Sequence, residues 1–431
     1  MPTTRTLIRI PWFVTMATSV VALLGVGPGR LAASYLQPDI VVTTAAELQS
    51  ALSPANAGAR ILVQAGVYDV SQPLTVPDGA TLVGEGVMIF DQSGLPTGFD
   101  PIGRTLLRAT ATLAGNILTL GNGATIRGLA IQDVVGRLVP GSGVAVLSRA
   151  AGDFISARIE ECEIVNPNPR ATSRGLEVMT QNPDLEPPHE GAVLRVQMAR
   201  SIVRSPGAAD GIFAINFASH SQIELDVESN VVGGALGSAA GVGLPDAATG
   251  ASVVIQSSRN LYRSDSLVPT ATGWQLFAGA DAPIPGIVSQ AVTFNTLQMH
   301  SIDDTIAGFA TGIVASGARR INALSGTISS NRLELNLHGT LLQTITSDLR
   351  LSGAQTMLGV ATGDDNIAHI VIHQATGSGA KANRYAHSQI PVNGIPGIGN
   401  RLEIVGNANA FDQTNQNFVP PPPAEFFRGG H

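Results

Sequence analysis

The chain has 431 residues, of which 44% are hydrophobic, 4% aromatic and 13% charged. This composition is too apolar for a disordered chain, and a single cysteine excludes an intrachain disulfide framework. The formal net charge of −7 provides no basic footprint, so nucleic acid is excluded as a partner. Only one of the 25 cationic side chains is a lysine, Lys381, which removes most candidates for a catalytic lysine.

The first segment is typical of a secretory signal. Arg5 and Arg9 precede an apolar run over 13–27 that is short for a membrane span, and small residues follow at 31–33. We therefore predict a signal peptide over 1–33, with an uncleaved membrane anchor as the alternative. The protein is then secreted, periplasmic or extracellular, with no membrane contact after signal cleavage. In that setting Cys162 is expected to be a small buried hydrophobe.

A short helix is predicted within residues 34–60, which we interpret as an N-terminal cap segment. Ala45, Leu48 and Leu52 share one helical face behind a capping residue at Thr44. Beyond this segment, short β runs are divided by Gly, Pro and Asp turns, and helical periodicity is almost absent. The pattern predicts an all-β domain over 61–415 and a Pro-rich tail over 416–431.

One ten-residue phrase recurs along the chain at spacings of 29 to 44 residues. Its first, third and fifth positions are biased towards apolar residues, its eighth is small or polar, and a second apolar pair follows. Copies begin at Leu194, Ile223, Val253, Leu297, Leu333, Ala368 and Leu402. A unit of this length without helices cannot bury its apolar side chains alone, so neighbouring units must stack as a coiled solenoid.

Stacking at the spacing of adjacent strands, about 4.8 Å, turns each phrase position into a column that runs along the solenoid. The apolar positions are then interior columns, which aligns Leu225, Ile255 and Leu335 inside the fold. The eighth position forms a turn column whose short polar side chains can bond to their counterparts in the next coil. Its members are Ser201, Asn230, Asn260, Asp304, Thr340, Ala375 and Asn409.

The run from Ala45 to Gly86 resembles the opening of pectin-lyase-like right-handed parallel β-helix proteins. It combines the short helix with ILVQAGVY over 61–68 and VPDGATLVGEG over 76–86. In that superfamily a comparable helix caps the first coil and similar phrases follow, although this chain has Ala65 where the family usually has proline. The resemblance implies a single-stranded right-handed parallel β-helix with a short N-terminal capping helix. It also implies an extracellular, often carbohydrate-directed repertoire, but no one reaction.

The catalytic signatures of enzyme families with this fold are missing from the sequence. Polygalacturonase-like members carry Gly-His-Gly and Arg-x-Lys, whereas here the glycine before His338-Gly339 and the arginine before Lys381 are absent. Asp303-Asp304 and Asp364-Asp365 resemble their paired aspartates, and for both pairs we favour a structural role. The Trp-x-Asp-His phrase of calcium-dependent pectate-lyase-like members is also missing. We therefore predict no metal site and no cofactor, and Ca²⁺ has no motif that supports it.

The second and fourth positions of the phrase form a polar outward face, which is the candidate substrate site. The predicted catalytic residues are His300, Asp303, Asp304, Asp226 and Glu334. His300 is the favoured base, because the two nearby aspartates could hold its imidazole. The predicted substrate-binding residues are Arg195, Glu224, Gln256, Gln298 and Asn336. Tyr262, Tyr385 and Trp274 are candidates for stacking on a sugar ring.

These patterns predict a secreted protein that binds an extended polysaccharide or cell-surface glycan along an outward sheet. If it is an enzyme, it cleaves that polymer as a lyase or a glycoside hydrolase, which requires carboxyl groups that converge within about 5 to 10 Å. The alternative is a non-catalytic surface protein, adhesin-like or part of the envelope, which the missing signatures favour. Such a protein needs only evenly spaced polar ladders. The sequence leaves the oligomeric state and metal dependence open.

Overall fold

A computed structural model describes most of the chain. The described residues are 37–137, 139, 141–168, 174–180, 189–205, 210–243, 248–264, 271–281, 291–320, 327–356, 363–378, 383–389, 397–406 and 427–428. The predicted signal peptide, Lys381, Asn409 and most of the Pro-rich tail lie outside them. The coils belong to one compact unit that begins at Pro38. Within the described ranges, no helix has the length and apolar character needed to cross a membrane.

The predicted helix is present as α1, Ala45–Ala51, and a 3₁₀ turn over Pro54–Asn56 follows it. Its first turn is closed by a capping box. The Glu47 backbone N–H donates to Thr44 Oγ1 at 3.2 Å, and the Thr44 N–H donates to Glu47 Oε2 at 3.1 Å. Leu48 and Leu52 are buried in the core, as predicted, whereas Ala45 is exposed. The C-terminal half of the helix therefore packs on the core and covers the end of the first coil.

Three long parallel sheets form the sides of the solenoid, and strands are numbered in chain order. Sheet 1 contains β1 Ile40–Val42, β2 Arg60–Val63, β5 Thr81–Gly84, β10 Ala124–Arg127, β13 Phe154–Glu160, β16 Val193–Ala199, β19 Gln222–Glu228, β23 Ser252–Ser258, β27 Thr296–Ile302, β31 Arg332–His338, β34 Ile367–His373, β36 Arg401–Gly406 and β37 Phe427–Arg428. Sheet 2 contains β3 Gly66–Val70, β8 Thr105–Ala109, β11 Ala130–Gln132, β14 Glu163–Val165, β17 Ile202–Arg204, β20 Val231–Gly233, β24 Leu261–Arg263, β28 Thr305–Ala307 and β32 Leu341–Gln343.

Sheet 3 alternates with the other two along the chain. It contains β4 Leu74–Val76, β9 Leu118–Leu120, β12 Val144–Leu147, β15 Leu176–Met179, β18 Asp210–Ile215, β21 Ala235–Gly243, β25 Thr272–Asp281, β29 Thr311–Arg320, β33 Ser347–Thr356 and β35 Arg384–Gln389. A small parallel sheet contains β22 Ala248–Thr249, β26 Val292–Thr293 and β30 Ile328–Ser329. An antiparallel hairpin pairs β6 Met88–Phe90 with β7 Pro96–Phe99. The predicted fold class, an all-β right-handed parallel β-helix with a short N-terminal helix, is confirmed.

The interior columns are those that the phrase predicts. Leu225 is the register partner of Ile255, which pairs through Met299 with Leu335. All four side chains are buried in one continuous hydrophobic core. Trp274 packs edge-on against Tyr262 in this core, with ring centroids 5.2 Å apart. A buried column of this kind removes apolar surface from water at every coil, which is the main driving force for the fold.

Two ladders of buried polar side chains lie at the two ends of the sheet 1 strands. At the exit, Asn260 Oδ1 accepts the backbone N–H and the side-chain amide of Asn230, both at 2.9 Å. Asp304 Oδ1 accepts the same two groups of Asn260, at 2.8 and 3.0 Å. The Ser201 backbone N–H donates to Asn230 Oδ1 in the same way, so the predicted turn ladder is confirmed from Ser201 to Asp304, whereas the Thr340 hydroxyl bonds to Ser301. A buried amide that serves the next coil satisfies groups that burial would otherwise leave unpaired.

The second ladder, at the strand entry, was not predicted. Four asparagines from successive coils form three steps, and at each step the amide oxygen of one accepts the backbone N–H and a side-chain N–H of the asparagine before it, at 2.9 to 3.2 Å. Its members are Asn295, Asn331, Asn366 and Asn400. The residue before each has a left-handed backbone, including Phe294 at φ 57° and Gly399 at φ 73°. This conformation turns the chain into sheet 1 within one residue.

Candidate functional site

The predicted site residues lie on sheet 1 in two neighbouring rows. One row joins Arg195, Glu224, Val254, Gln298 and Glu334 as successive register partners. The other joins Gln197, Asp226, Gln256, His300 and Asn336. The structure therefore places eight of the ten predicted residues on one outward face, and the other two are the turn residues Asp303 and Asp304. Adjacent strands put register partners about 4.8 Å apart.

The polar groups of this face are largely bonded to one another. Arg195 forms an ion pair with Glu224 at 2.8 Å, and Gln298 donates to Glu334 at 3.0 Å. Arg332 also pairs with Glu334, at 2.7 Å. Asp226 is exposed, and desolvation together with the neighbouring Glu228 raises its pKa. The face thus forms a row of paired side chains, the arrangement expected of a structural ladder.

The predicted support of His300 by two aspartates is wrong. The Asn336 side-chain amide donates to His300 Nδ1 at 3.2 Å. Asp303 is an exposed turn residue with a left-handed backbone, φ 55°. Asp304 is fully buried, and its two oxygens accept bonds from Asn260 and from the Ser301 hydroxyl, the latter at 2.7 Å. Asp304 therefore serves the exit ladder, as its place in the turn column implies, and does not reach the outward face.

The prediction that three aromatic rings stack on a sugar is also wrong, because all three rings are buried. Trp274 and Tyr262 are completely buried, and Tyr385 is 1% exposed. Each alternates with outward residues on its strand and points into the core. Cys162 is buried as predicted, and burial raises the pKa of its thiol to about 12. A thiol that stays protonated cannot act as a nucleophile near neutral pH.

The outward face of sheet 3 concentrates charged and aromatic side chains that the sequence did not single out. Leu176, Ile212 and Leu276 point into the core, so their neighbours Glu177, Phe213 and Phe277 point outward. Register pairs Glu177 with Phe213 on the adjacent strand. These residues lie outside the repeated phrase. In β15 the single polar residue Glu177 among apolar neighbours is a signal that could have identified it, whereas β18 is Gly and apolar residues after Asp210 and gives no such signal for Phe213.

Two carboxyl groups lie at the start of β15 and β18. Glu177 is buried, forms an ion pair with Arg174 and accepts a bond from the Ser142 hydroxyl at 2.9 Å. Burial raises the pKa of Asp210 to about 6, although Arg174 and Arg319 oppose this shift. Asp210 can therefore hold a proton under mildly acidic conditions and release it near neutral pH. Asp210, with its raised pKa, and Glu177, with its arginine partner, lie on adjacent strands and are the two kinds of carboxyl group that acid catalysis combines.

Arginines lie over aromatic rings at two points of the same face. The Arg174 guanidinium is 3.5 Å from the centroid of the Phe213 ring, and that of Arg319 is 4.5 Å from the centroid of the Phe277 ring. Such contacts hold the guanidinium groups in fixed positions. Apolar side chains surround them: Met179, Ile215, Ala239, Val242 and Ala280. These five side chains are buried, so they form a second apolar cluster packed on the outer side of sheet 3 and not an open surface.

A pocket of about 520 Å³ lies apart from these residues. Leu52, Pro73 and Val76 line it, and Asp78 and Arg149 form an ion pair at 3.0 Å in its wall. It includes none of the carboxyl or aromatic residues of sheet 3. Among the described residues, no group of three or more His, Cys, Asp or Glu side chains is placed to hold a metal ion. In comparisons with known proteins, the chain matches no family model and no curated protein.

Proposed function

We propose that this protein is a secreted β-helix that binds an extended polysaccharide across the outward face of sheet 3. The observation that carries the proposal is the grouping of Asp210 and Glu177 with two arginine-backed rings on strands β15 to β29. Phe213, which is partly exposed, supplies contact area for the face of a sugar, and arginines and carboxylates supply hydrogen bonds to hydroxyl groups. The resemblance of residues 45–86 to carbohydrate-directed β-helix proteins supports the same class of ligand.

The two carboxyl groups support a hydrolytic step on the bound polymer. In its protonated form Asp210 is the general acid that donates a proton to the glycosidic oxygen as the bond breaks. The Glu177 carboxylate, fixed by Arg174 and Ser142, is the partner that activates water or stabilises the developing positive charge. With a pKa of about 6, Asp210 is present in both protonated and ionised forms near that pH, as a group that donates a proton in each turnover requires.

The non-catalytic alternative has one observation in its favour. The carboxylates and amides of sheet 1 are engaged with their neighbours, as in Arg195 with Glu224 and Asn336 with His300. Evenly spaced, mutually bonded rows stabilise a long scaffold without any substrate. The predicted catalytic roles of His300, Asp226 and Glu334 remain predictions that this alternative would replace. The two interpretations differ in whether any face of the solenoid binds or cleaves a polymer.

The test is a panel of uronate-containing and neutral polysaccharides, followed by absorbance of unsaturated ends and by new reducing ends. Binding is measured in parallel by affinity electrophoresis. Asp210→Asn is expected to lower any cleavage by about 10²-fold or more while binding persists. Glu177→Gln tests the partner carboxylate, and Glu334→Gln and His300→Ala on sheet 1 are the matched controls. Circular dichroism confirms that each variant folds.

Three outcomes separate the interpretations. Loss of activity in the sheet 3 variants alone supports the proposal. Loss in Glu334→Gln or His300→Ala alone places the site on sheet 1, as the sequence predicted. Absence of binding and of both cleavage signals across the panel supports the structural role.

A further inference from the structure

Two arginines occupy neighbouring positions at the C-terminal end of sheet 3. Arg350 on β33 and Arg384 on β35 are direct register partners. Parallel strands put such partners about 4.8 Å apart at the backbone. Leu349, Leu351 and Tyr385 point into the core, so both arginines point outward from the same face. Both side chains are half-buried.

These arginines have no carboxylate partner among the described residues. No ion pair within 4.0 Å joins either guanidinium to an Asp or Glu in that part of the chain, and the Nε of each is buried without a hydrogen-bond acceptor. The carboxylate closest in sequence, Asp348, instead accepts the hydroxyl groups of Thr344 and Ser378 at 2.6 and 2.7 Å. In contrast, Arg332 and Arg401 on sheet 1 are both paired with glutamates.

Two like charges at this spacing repel each other, and partial burial weakens the screening by water. Burial and the charge of Arg384 lower the pKa of Arg350. An arginine does not relieve such repulsion by losing its proton at physiological pH, because its pKa remains far above that range. The relief that remains is a bound negative charge. Two adjacent guanidinium groups present parallel N–H donors that match the oxygens of a planar or tetrahedral oxyanion.

We propose that Arg350 and Arg384 form a binding site for an oxyanion, the carboxylate, sulfate or phosphate group of a ligand. The guanidinium groups donate to its oxygens from two adjacent coils, and Val314, the register partner of Arg350, supplies an apolar neighbour. The site does not depend on the proposed polysaccharide function, since a small ion is sufficient to occupy it. If that function holds, the same pair selects acidic or sulfated polymers over neutral ones.

The experiment measures thermal unfolding of the full chain in sodium sulfate, phosphate and acetate, each against sodium chloride at equal ionic strength. A saturable rise in Tm of a few degrees is expected for the wild type, because a ligand that binds only the folded state stabilises it. Arg350→Gln and Arg384→Gln are expected to lose the saturable part. Arg158→Gln, an exposed arginine on sheet 1, is the matched control and should keep it.

A second readout is whether the substitution raises or lowers stability in the absence of an oxyanion. In chloride alone, Arg384→Gln should be at least as stable as the wild type, because the substitution removes a repulsive charge. Loss of stability in chloride together with no oxyanion response in the wild type would overturn the proposal. A response that survives in the double variant would also overturn it.

A polymer arm distinguishes the source of the oxyanion. Sulfated, carboxylated and neutral polysaccharides are compared by affinity electrophoresis with wild type, Arg350→Gln and Asp210→Asn. Selective loss of retention on acidic polymers in Arg350→Gln identifies a polymer-borne oxyanion. A small-ion response without polymer retention identifies a free or low-molecular-weight anion and leaves the oxyanion site standing while the polysaccharide proposal fails.

Discussion

Single carboxyl groups in this protein differ mainly in what surrounds them. Glu224 and Glu334 lie on an open face and meet arginines at 2.8 and 2.7 Å, so their charge is shared with a partner. Asp304 is fully buried but accepts three kinds of hydrogen bond. Burial raises the pKa of Asp304, and it moves the pKa of Asp210 to about 6. The sequence alone cannot distinguish these surroundings, because each carboxyl group belongs to an acidic residue on or next to a strand.

The raised pKa of Asp210 predicts a pH-dependent stability. An unfolded aspartate has a pKa of about 3.9, so between that pH and about 6 the folded state binds more protons than the unfolded state. The contribution of Asp210 is therefore largest below about pH 4 and is lost as the pH rises to about 6. Asp210→Asn removes this dependence. Relative to the wild type, the variant should gain about 1 to 2 kcal/mol of unfolding free energy between pH 4 and pH 7.

Urea unfolding at several pH values, followed by the fluorescence of the buried Trp274, measures this difference. Asp226→Asn, on the exposed face of sheet 1, is the control and should change the pH dependence less. Parallel curves for the wild type and Asp210→Asn would show that Arg174 and Arg319 compensate fully for burial.

At the scale of elements, the strands and turns within the repeated phrase could be predicted from the sequence, whereas the elements between its copies could not. Within the phrase, positions stay in step, so Asn230, Asn260 and Asp304 could be assigned to one ladder. Asn295, Asn331 and Asn366 stand two residues before successive copies, a signal that was present but not used. Sheet 3 could not be placed from the sequence, because the segments between phrases vary in length and its strands carry no shared pattern. An example is β21, which has three glycines and three alanines in nine residues.

The ladder predicts that a buried asparagine contributes much more to the free energy of unfolding than an asparagine on the outward face. Asn260 accepts two bonds from Asn230 and donates to Val227 O at 2.9 Å and to Asp304, all while buried. Asn260→Ala leaves several of these groups unpaired and should cost about 2 to 5 kcal/mol. Asn336→Ala on the outward face loses only the contact with His300 and should cost less than about 1 kcal/mol.

Urea denaturation of both variants under identical conditions checks the prediction. Equal losses would show that the ladder contributes no more than an exposed hydrogen bond. Asn331→Ala in the entry ladder extends the test, because it removes the same kinds of bond at the opposite end of the strand.

At the scale of the molecule, one coil is the repeating unit of stability. Each sheet 1 strand contacts the strand before and after it in register, as in the pairing of β23 with β27 and of β27 with β31. The coil that begins at Asn295 ends before Asn331, a separation of 36 residues. Because contacts are mainly with adjacent coils, removal of one whole coil should leave two surfaces that fit each other.

Deletion of residues 295–330 joins Phe294 to Asn331 and tests this directly. Val253 would then face Leu333 and Ile255 would face Leu335, both apolar pairs, and Asn331 would take the place of Asn295 below Ala251. The shortened protein should fold with the same shape of far-ultraviolet dichroism spectrum. Its urea m-value should fall by about 8%, in proportion to the 36 residues lost.

Deletion of residues 295–312 is the matched control, because it removes half of the same coil. It joins Phe294 to Ile313, so the remainder of a sheet 3 strand follows where a sheet 1 strand should begin. The interior columns of the later coils are then rotated out of line with the earlier ones, and their apolar side chains lose their partners. This variant should unfold or aggregate. If both deletions fold equally well, stacking in register is not what stabilises the chain, and if neither folds, stability depends on contacts beyond the adjacent coil.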